Sequence, residues 1–218
     1  MDTNTPDLGR ILLVDKPLRW TSFDVVNKLR NKLKTKKIGH AGTLDPLATG
    51  LLIICVGKMT KRIEDFMGLE KEYCGKFVLG KTTPSFDLET AITEEKDISE
   101  ITEEKVKAAA VPFIGTISQL PPMHSAIRIG GKRAYEFARK GTEIELKPRE
   151  VNIQRFDITT VNLPEVEFRI VCSKGTYIRS IARDFGNVLQ VGAYLSELRR
   201  TRIGTFNITN ALTVDQVE

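Results

Sequence analysis

The sequence predicts an α+β domain on a mostly antiparallel, mixed sheet, and three observations lead there. Strand-like and helix-like stretches alternate irregularly, without the βαβα repeat of a doubly wound fold. The segment Leu51–Val56, "LLIICV", is continuously apolar, as in a strand buried on both faces. "VEFRIVC" alternates instead, with Val166, Phe168, Ile170 and Cys172 on one face and Glu167 and Arg169 on the other. At 218 residues the chain can bury a substantial core. It contains no internal repeat, low-complexity tract or Pro/Gly/Ser-rich linker, so the reading is one domain over residues 1–218.

In order, "GRILLVDKP" is a short strand stopped by Pro17. "TSFDVVNKLRNKLKTKK" is a helix with Thr21 as N-cap, Asp24 three residues on, and an apolar face of Val25, Val26, Leu29 and Leu33. "GHAGTLDPLATG" is a Gly/Thr-rich loop leading into the apolar strand, and "KEYCGKFVLGK" is a further strand. "TEEKVKAAAVPFIG" is a short helix closed near Pro112. The β-rich run 141–175 follows, and after "SKGTY" a helix carries Ile178, Ile181, Ala182, Phe185, Val188 and Leu189 on its apolar side.

Composition narrows the chemistry. No apolar run is long enough to span a bilayer, and the polar N-terminus is unlike a secretory signal. Cys55, Cys74 and Cys172 form no CxxC pair, and there are two histidines, which disfavours disulfide and metal frameworks and suits a reducing cytoplasm. The net charge of +5 conceals segregation. Residues 1–62 carry twelve Lys/Arg against five acids, whereas residues 85–104 carry eight acids and one lysine. That pattern suits a polyanion on one face, although charge runs are as often solvated helix surfaces. "VGKMTK" is not a P-loop, since its Gly spacing is wrong and Met59 follows Lys58. No GxGxxG, HExxH or GxSxG motif is present.

Asp45 is the candidate that survives. The proline after it restricts it to extended backbone, and its small neighbours leave room for a ligand. Local chemistry alone favours an Asx-type turn. The surrounding residues alter that balance. "GHAGTLDPLATGLL" resembles the active-site signature of the TruB family of tRNA pseudouridine synthases. The likeness continues in order through "LLVDKPLRWTS", "KEYCGKFVLGKTT", "QLPPMHSAIRIGGKRAYEFARKG", "VCSKGTYIRSIARDFG" and "YLSELRRTRIG".

The resemblance implies a pseudouridine synthase fold and cofactor-independent isomerisation of uridine 55 in the tRNA T loop. Asp45 matches the essential aspartate, and Tyr73 the tyrosine lying against the target ring. Arg179 matches the arginine that pairs with the aspartate, while Tyr177 and Leu198 match residues lining the uracil pocket. His40 matches the histidine that contacts the T loop. Residues of about 121–147 match an RNA-gripping insertion. There Lys132 and Arg133 belong to a basic stretch that reads as a flap ordering on tRNA, or else as an ordinary hairpin. The implied partner is the T arm of tRNA, with no metal, cofactor or membrane and a monomer as the simpler state. Many family members continue into a PUA-type domain, and no match to it is expected here. The acidic stretch from Ser85 is expected to lie away from RNA. A non-catalytic RNA-binding module and a glycosidase-like enzyme are the rivals. The first would tolerate loss of Asp45, and the second lacks a second acid in comparable context.

Overall fold

A computed structural model of the chain describes residues 9–125, 128–129, 131–138, 142 and 144–218. These form two compact units, one of residues 9–73 with 198–218 and the other of the described residues between 74 and 197. The chain passes from one to the other between Tyr73 and Cys74 and again between Glu197 and Leu198, each time inside a strand.

The first unit begins with β1 (Arg10–Lys16), α1 (Ser22–Lys32), β2 (Ile38–Ala41) and β3 (Ala48–Val56). A 3₁₀ turn at Gly57–Arg62, α2 (Ile63–Gly68) and the start of β4 (Lys71–Leu79) follow. The second unit contains β5 (Lys81–Thr82), β6 (Glu94–Glu95), α3 (Glu103–Ala110) and β7 (Gly115–Gln119). It continues with β8 (Arg128–Ile129), β9 (Lys132–Arg133), α4 (Ala134–Ala138), β10 (Arg149–Asn162), β11 (Glu165–Cys172) and α5 (Ile178–Val188). Strand β12 (Ala193–Ile203) returns to the first unit, which closes with β13 (Phe206–Asn207) and β14 (Leu212–Thr213).

In the first unit β3 is the central strand. It pairs antiparallel with β1 (Val14 opposite Leu52) and with β2 (His40 opposite Ile54), and parallel with the end of β12 (Leu198 opposite Ala48). β1 in turn runs parallel to β14. Alternation along β3 sends Leu52, Ile54 and Val56 into one core with Val25, Val26 and Leu29 of α1, and Leu51, Ile53 and Cys55 into another with Phe66 of α2 and Ile203. Both faces are therefore covered, which explains why "LLIICV" lacks polar alternation. α1 carries the expected capping box: the Thr21 hydroxyl accepts from the Asp24 N–H, and the Asp24 carboxylate accepts from the Thr21 N–H. The helix stops at Lys32, short of the expected Lys37, because Lys34 turns into the left-handed region at φ 48°.

Where β3 meets β12 the backbones leave no space for a side chain. Gly50 has φ +104°, and a Cβ there would lie 2.3 Å from the Arg200 carbonyl oxygen. Gly50→Ala combines a left-handed backbone with a main-chain clash, so it is expected to cost about 2 kcal/mol or more. Urea denaturation of the purified variant measures this; a loss under about 0.5 kcal/mol would show that the two strands separate easily.

In the second unit β10 pairs antiparallel with β11 and β7. A cluster of Phe77, Phe113, Phe156, Phe168 and Phe185 forms its centre, with Phe77 stacked on Phe168 at 4.2 Å between centroids. β8 and β9 make a two-stranded hairpin (Ile129 opposite Lys132) that leads into α4. The side chains of Lys132 and Arg133, together with residues 126, 127, 130, 139–141 and 143, lie outside the described part, as does the expected ordering of this flap on RNA. No helix among the described residues is long and apolar enough to cross a membrane.

Candidate active site

The first unit holds Asp45, His40, Tyr73 and Leu198; the second holds Tyr177 and Arg179. Asp45 is half-buried in the loop between β2 and β3, and its carbonyl accepts the Ala48 N–H at 3.0 Å. The rigidity of this loop comes from its backbone neighbours. The Ser22 hydroxyl accepts the Leu44 N–H at 2.9 Å and lies 3.3 Å from the Leu44 carbonyl. The Arg19 N–H donates to the Pro46 carbonyl at 2.7 Å.

Two buried cations complete the mount. Lys16, 0% exposed, donates from Nζ to the carbonyls of Pro17 (2.9 Å), Trp20 (2.5 Å) and Pro46 (3.5 Å). Arg200, 1% exposed, donates from Nε to the Leu51 carbonyl at 2.7 Å and from Nη2 to the Gly42 carbonyl at 3.1 Å. The carbonyls of Gly42 and Pro46 bracket Thr43, Leu44 and Asp45, so one cation reaches each end of this tripeptide. Carbonyls satisfied by buried cations do not drift, which gives the carboxylate a fixed direction.

Burial pushes the Lys16 ammonium down to about 8; Asp45 pulls it back up and Arg200 pushes it further down. In the unfolded chain the same group titrates near 10.5. Between those values the unfolded state holds a proton that the folded state has released, so this group makes the fold more stable as pH rises from about 8 to 10.5. The stability difference between wild type and Lys16→Met is expected to move in favour of wild type between pH 7 and pH 10. Denaturation curves of both proteins across that range check it, and a pH-independent difference would remove the inference.

His40 lies on β2, and its Nδ1 is buried with no hydrogen-bond partner among the described residues. Burial, with Arg200 acting in the same direction, lowers its pKa below the usual imidazole value and keeps it neutral at pH 7. Tyr73 is a buried residue of β4. Leu198 is half-buried on β12, opposite Ala48 and so beside the end of the Asp45 loop.

In the second unit Arg179 stands in the first turn of α5, where a cation opposes the helix dipole and needs a specific partner. It is 3% exposed, donates from Nη1 to the Ser85 carbonyl (3.2 Å) and from Nη2 to the His124 carbonyl (2.8 Å), and pairs through Nε with Asp87 at 3.5 Å. Asp87 is itself 4% exposed. Tyr177 is the N-cap of α5, and its ring lies 4.6 Å from the Arg149 guanidinium.

Sequence reasoning missed three of these groups. Lys16 and Arg200 were legible as residues of matching blocks but not as supports of Asp45. Asp87 lies inside the acidic stretch, most of which is exposed, but Asp87 turns inward to Arg179. The local signal was its setting between Phe86 and Leu88, unlike the polar neighbours of the later glutamates. Among the described residues, no three His, Cys, Asp or Glu side chains group so as to hold a metal ion.

Comparisons with known proteins identify the family. A family model described as "TruB family pseudouridylate synthase (N terminal domain)" matches residues 30–178, and one described as "tRNA pseudouridylate synthase B C-terminal domain" matches residues 179–218. Among solved structures, the chain resembles one in a Cbf5-Nop10-Gar1 complex, with TM-score 0.73 and 30% identity. That match covers 94% of this chain and 53% of the other, so this chain spans about half its length. The fold and the matching residues define an isomerase of the pseudouridylate synthase class.

Relatives narrow the class further. tRNA pseudouridine synthase B of Flavobacterium johnsoniae is 51% identical over 217 residues, covering 96% of this chain and 95% of the relative. The enzyme of the same name from Phocaeicola vulgatus is 53% identical over 213 residues, covering 95% and 91%. The chain belongs to the TruB family.

Proposed function

We propose that the chain converts uridine 55 in the T loop of tRNA to pseudouridine, with Asp45 as the group that acts on the ribose of a flipped-out nucleotide. The observation that carries this reading is the carboxylate loop gripped at both ends by Lys16 and Arg200, in a chain half identical along its length to proteins named tRNA pseudouridine synthase B. In the reaction the C1′–N1 bond breaks, the uracil turns, and C5 bonds to C1′. C5 then loses a proton and N1 gains one, so atoms balance within the nucleotide and no redox partner is needed. An ionised carboxylate serves at C1′ as nucleophile or at C2′ as base, and a fixed direction is what either task requires.

The remaining residues take supporting parts. The target base is stacked in folded tRNA and has to be extruded. Tyr73 and Tyr177 offer aromatic faces in place of the lost stacking, worth about 1–3 kcal/mol per base. Leu198 forms apolar wall, Arg179 supplies positive charge to the site, and neutral His40 meets the T loop without adding charge. The monomer is the working unit, and tRNA maturation places it in the cytoplasm. Incubation of T-arm RNA with the protein, followed by mass spectrometry of digested RNA, is expected to show one pseudouridine at position 55. A T arm with cytidine there is expected to stay unmodified. Binding without conversion would identify an RNA-binding module instead.

The basic insertion supplies phosphate contacts in this reading, since residues 122–150 carry seven Lys/Arg against four Glu. Neutralising Lys132 and Arg133 together is expected to weaken T-arm binding and to flatten the dependence of log K on log salt by about 1.4 for two lost contacts to a single strand. Filter binding across a salt series measures the slope; an unchanged slope would place the phosphates elsewhere.

A further inference from the structure

Gln119 ends β7, is 0% exposed, and spends both ends of its amide on one residue. Its Oε1 accepts the Tyr177 N–H at 2.8 Å and its Nε2 donates to the Tyr177 carbonyl at 3.1 Å. A two-point bond to the N–H and C=O of a single residue restrains its φ and ψ, here −97° and 112°, the extended conformation from which α5 starts. Directly opposite Gln119 across the β7–β10 ladder stands Arg149, whose guanidinium covers the Tyr177 ring at 4.6 Å and also donates to the Gly175 carbonyl. Neighbouring residues of two strands therefore hold Tyr177, one by its peptide and one by its ring.

The residues after Gln119 extend the grip. The Leu120 carbonyl accepts from the Ser180 hydroxyl at 2.8 Å and from Arg183 at 3.1 Å, and the His124 carbonyl accepts from Arg179. The first turn of α5 is thus stapled to the strand end from which the basic insertion departs.

We propose that Gln119 is a positioning residue for the isomerisation: it sets the direction of Tyr177, and with it the wall of the uracil pocket, through the paired hydrogen bonds to the Tyr177 peptide. The inference rests on the reading of Tyr177 as a pocket residue. Gln119 is fully buried and so acts through Tyr177, on the turning and rejoining of the base and not on phosphate contacts. Misplacement of a positioning group by about an ångström costs on the order of 10- to 100-fold in turnover.

The test is a double-mutant cycle on T-arm RNA using the full chain. Q119M keeps volume and removes both hydrogen bonds, and it is expected to lower kcat about 10- to 100-fold with KM changed less than about threefold. Q119E keeps the acceptor for the Tyr177 N–H and is expected to fall between wild type and Q119M; it also answers the question if Q119M does not fold. In a Y177A background, which is slow by itself, Q119M is expected to cost less than about twofold more in kcat, although it lowers the melting temperature equally in both backgrounds. A merely structural glutamine would shift melting alone and leave kcat of the folded fraction intact. The proposal is overturned by a folded Q119M with wild-type kcat, or by equal kcat losses with and without Tyr177. A Y177A enzyme as fast as wild type removes its premise, and wild-type protein that fails to convert the RNA sinks the functional reading itself.

Discussion

Asp45→Asn is expected to reduce pseudouridine formation by at least about 10⁴-fold while leaving the fold and the RNA affinity close to wild type. An amide has nearly the shape of the carboxylate but carries no charge; it neither attacks C1′ nor takes the C2′ proton. The contacts at Gly42, Leu44 and Pro46 act on main chain and persist in the variant. Ser22 bonds the Leu44 peptide, Arg19 and Lys16 reach the Pro46 carbonyl, and Arg200 reaches the Gly42 carbonyl. The substitution also carries an electrostatic signature. Asp45 pulls the Lys16 pKa upward, so its neutralisation is expected to lower that value further below about 8. Three measurements bear on this: single-turnover conversion of T-arm RNA, its dissociation constant, and the melting temperature. Conversion by Asp45→Asn within tenfold of wild type would rule out Asp45 as the reacting carboxylate.

Parts of this arrangement are legible along the chain because they depend on near neighbours. The capping box at Thr21 and Asp24 needs three residues of sequence, and the double burial of β3 is written in its lack of polar positions. Other parts depend on strands that meet only in three dimensions. The short β2 has four residues and a glycine, too few to show a period, so His40 reads as loop when it is paired opposite Ile54. β12 brings Leu198 and Arg200 beside residues 48–50 through a parallel pairing that spans some 150 positions, and no local pattern carries that information. The same distance hides the role of Arg200: a run of two arginines reads as surface, yet register turns Arg199 out to Asp15 and Arg200 in under the Asp45 loop. Asp87 is hidden for a different reason. Burial of a charge depends on its partner, and the partner is 92 positions away at Arg179.

That buried pair carries the second large effect. Asp87→Asn is expected to destabilise the protein by about 3 kcal/mol, near the lower end for removal of one charge from a buried pair, because the Nε to carboxylate distance of 3.5 Å is loose. An arginine side chain stays charged, so neutralising Asp87 leaves the buried Arg179 guanidinium without one of its charged partners. Its bonds to the Ser85 and His124 carbonyls supply dipoles and no net charge. Asparagine still offers an oxygen to the Glu89 N–H, now held at 2.9 Å by Asp87, so the local turn persists and the loss isolates the charge. Two controls sharpen the result. Asp65→Asn removes the partner of Arg62 in a pair that is more than half exposed, and it is expected to change stability by less than about 0.5 kcal/mol. Arg179→Met combined with Asp87→Asn is expected to cost less than the two single changes added together, since no uncompensated charge remains in the double variant. Turnover is expected to fall with Asp87→Asn even where the protein is fully folded, because the guanidinium loses one of the groups that aim it. Urea denaturation and kcat at a temperature well below melting give the two quantities separately. A destabilisation below about 1 kcal/mol would mean that water or the other groups around Arg179 compensate its charge when Asp87 is neutral.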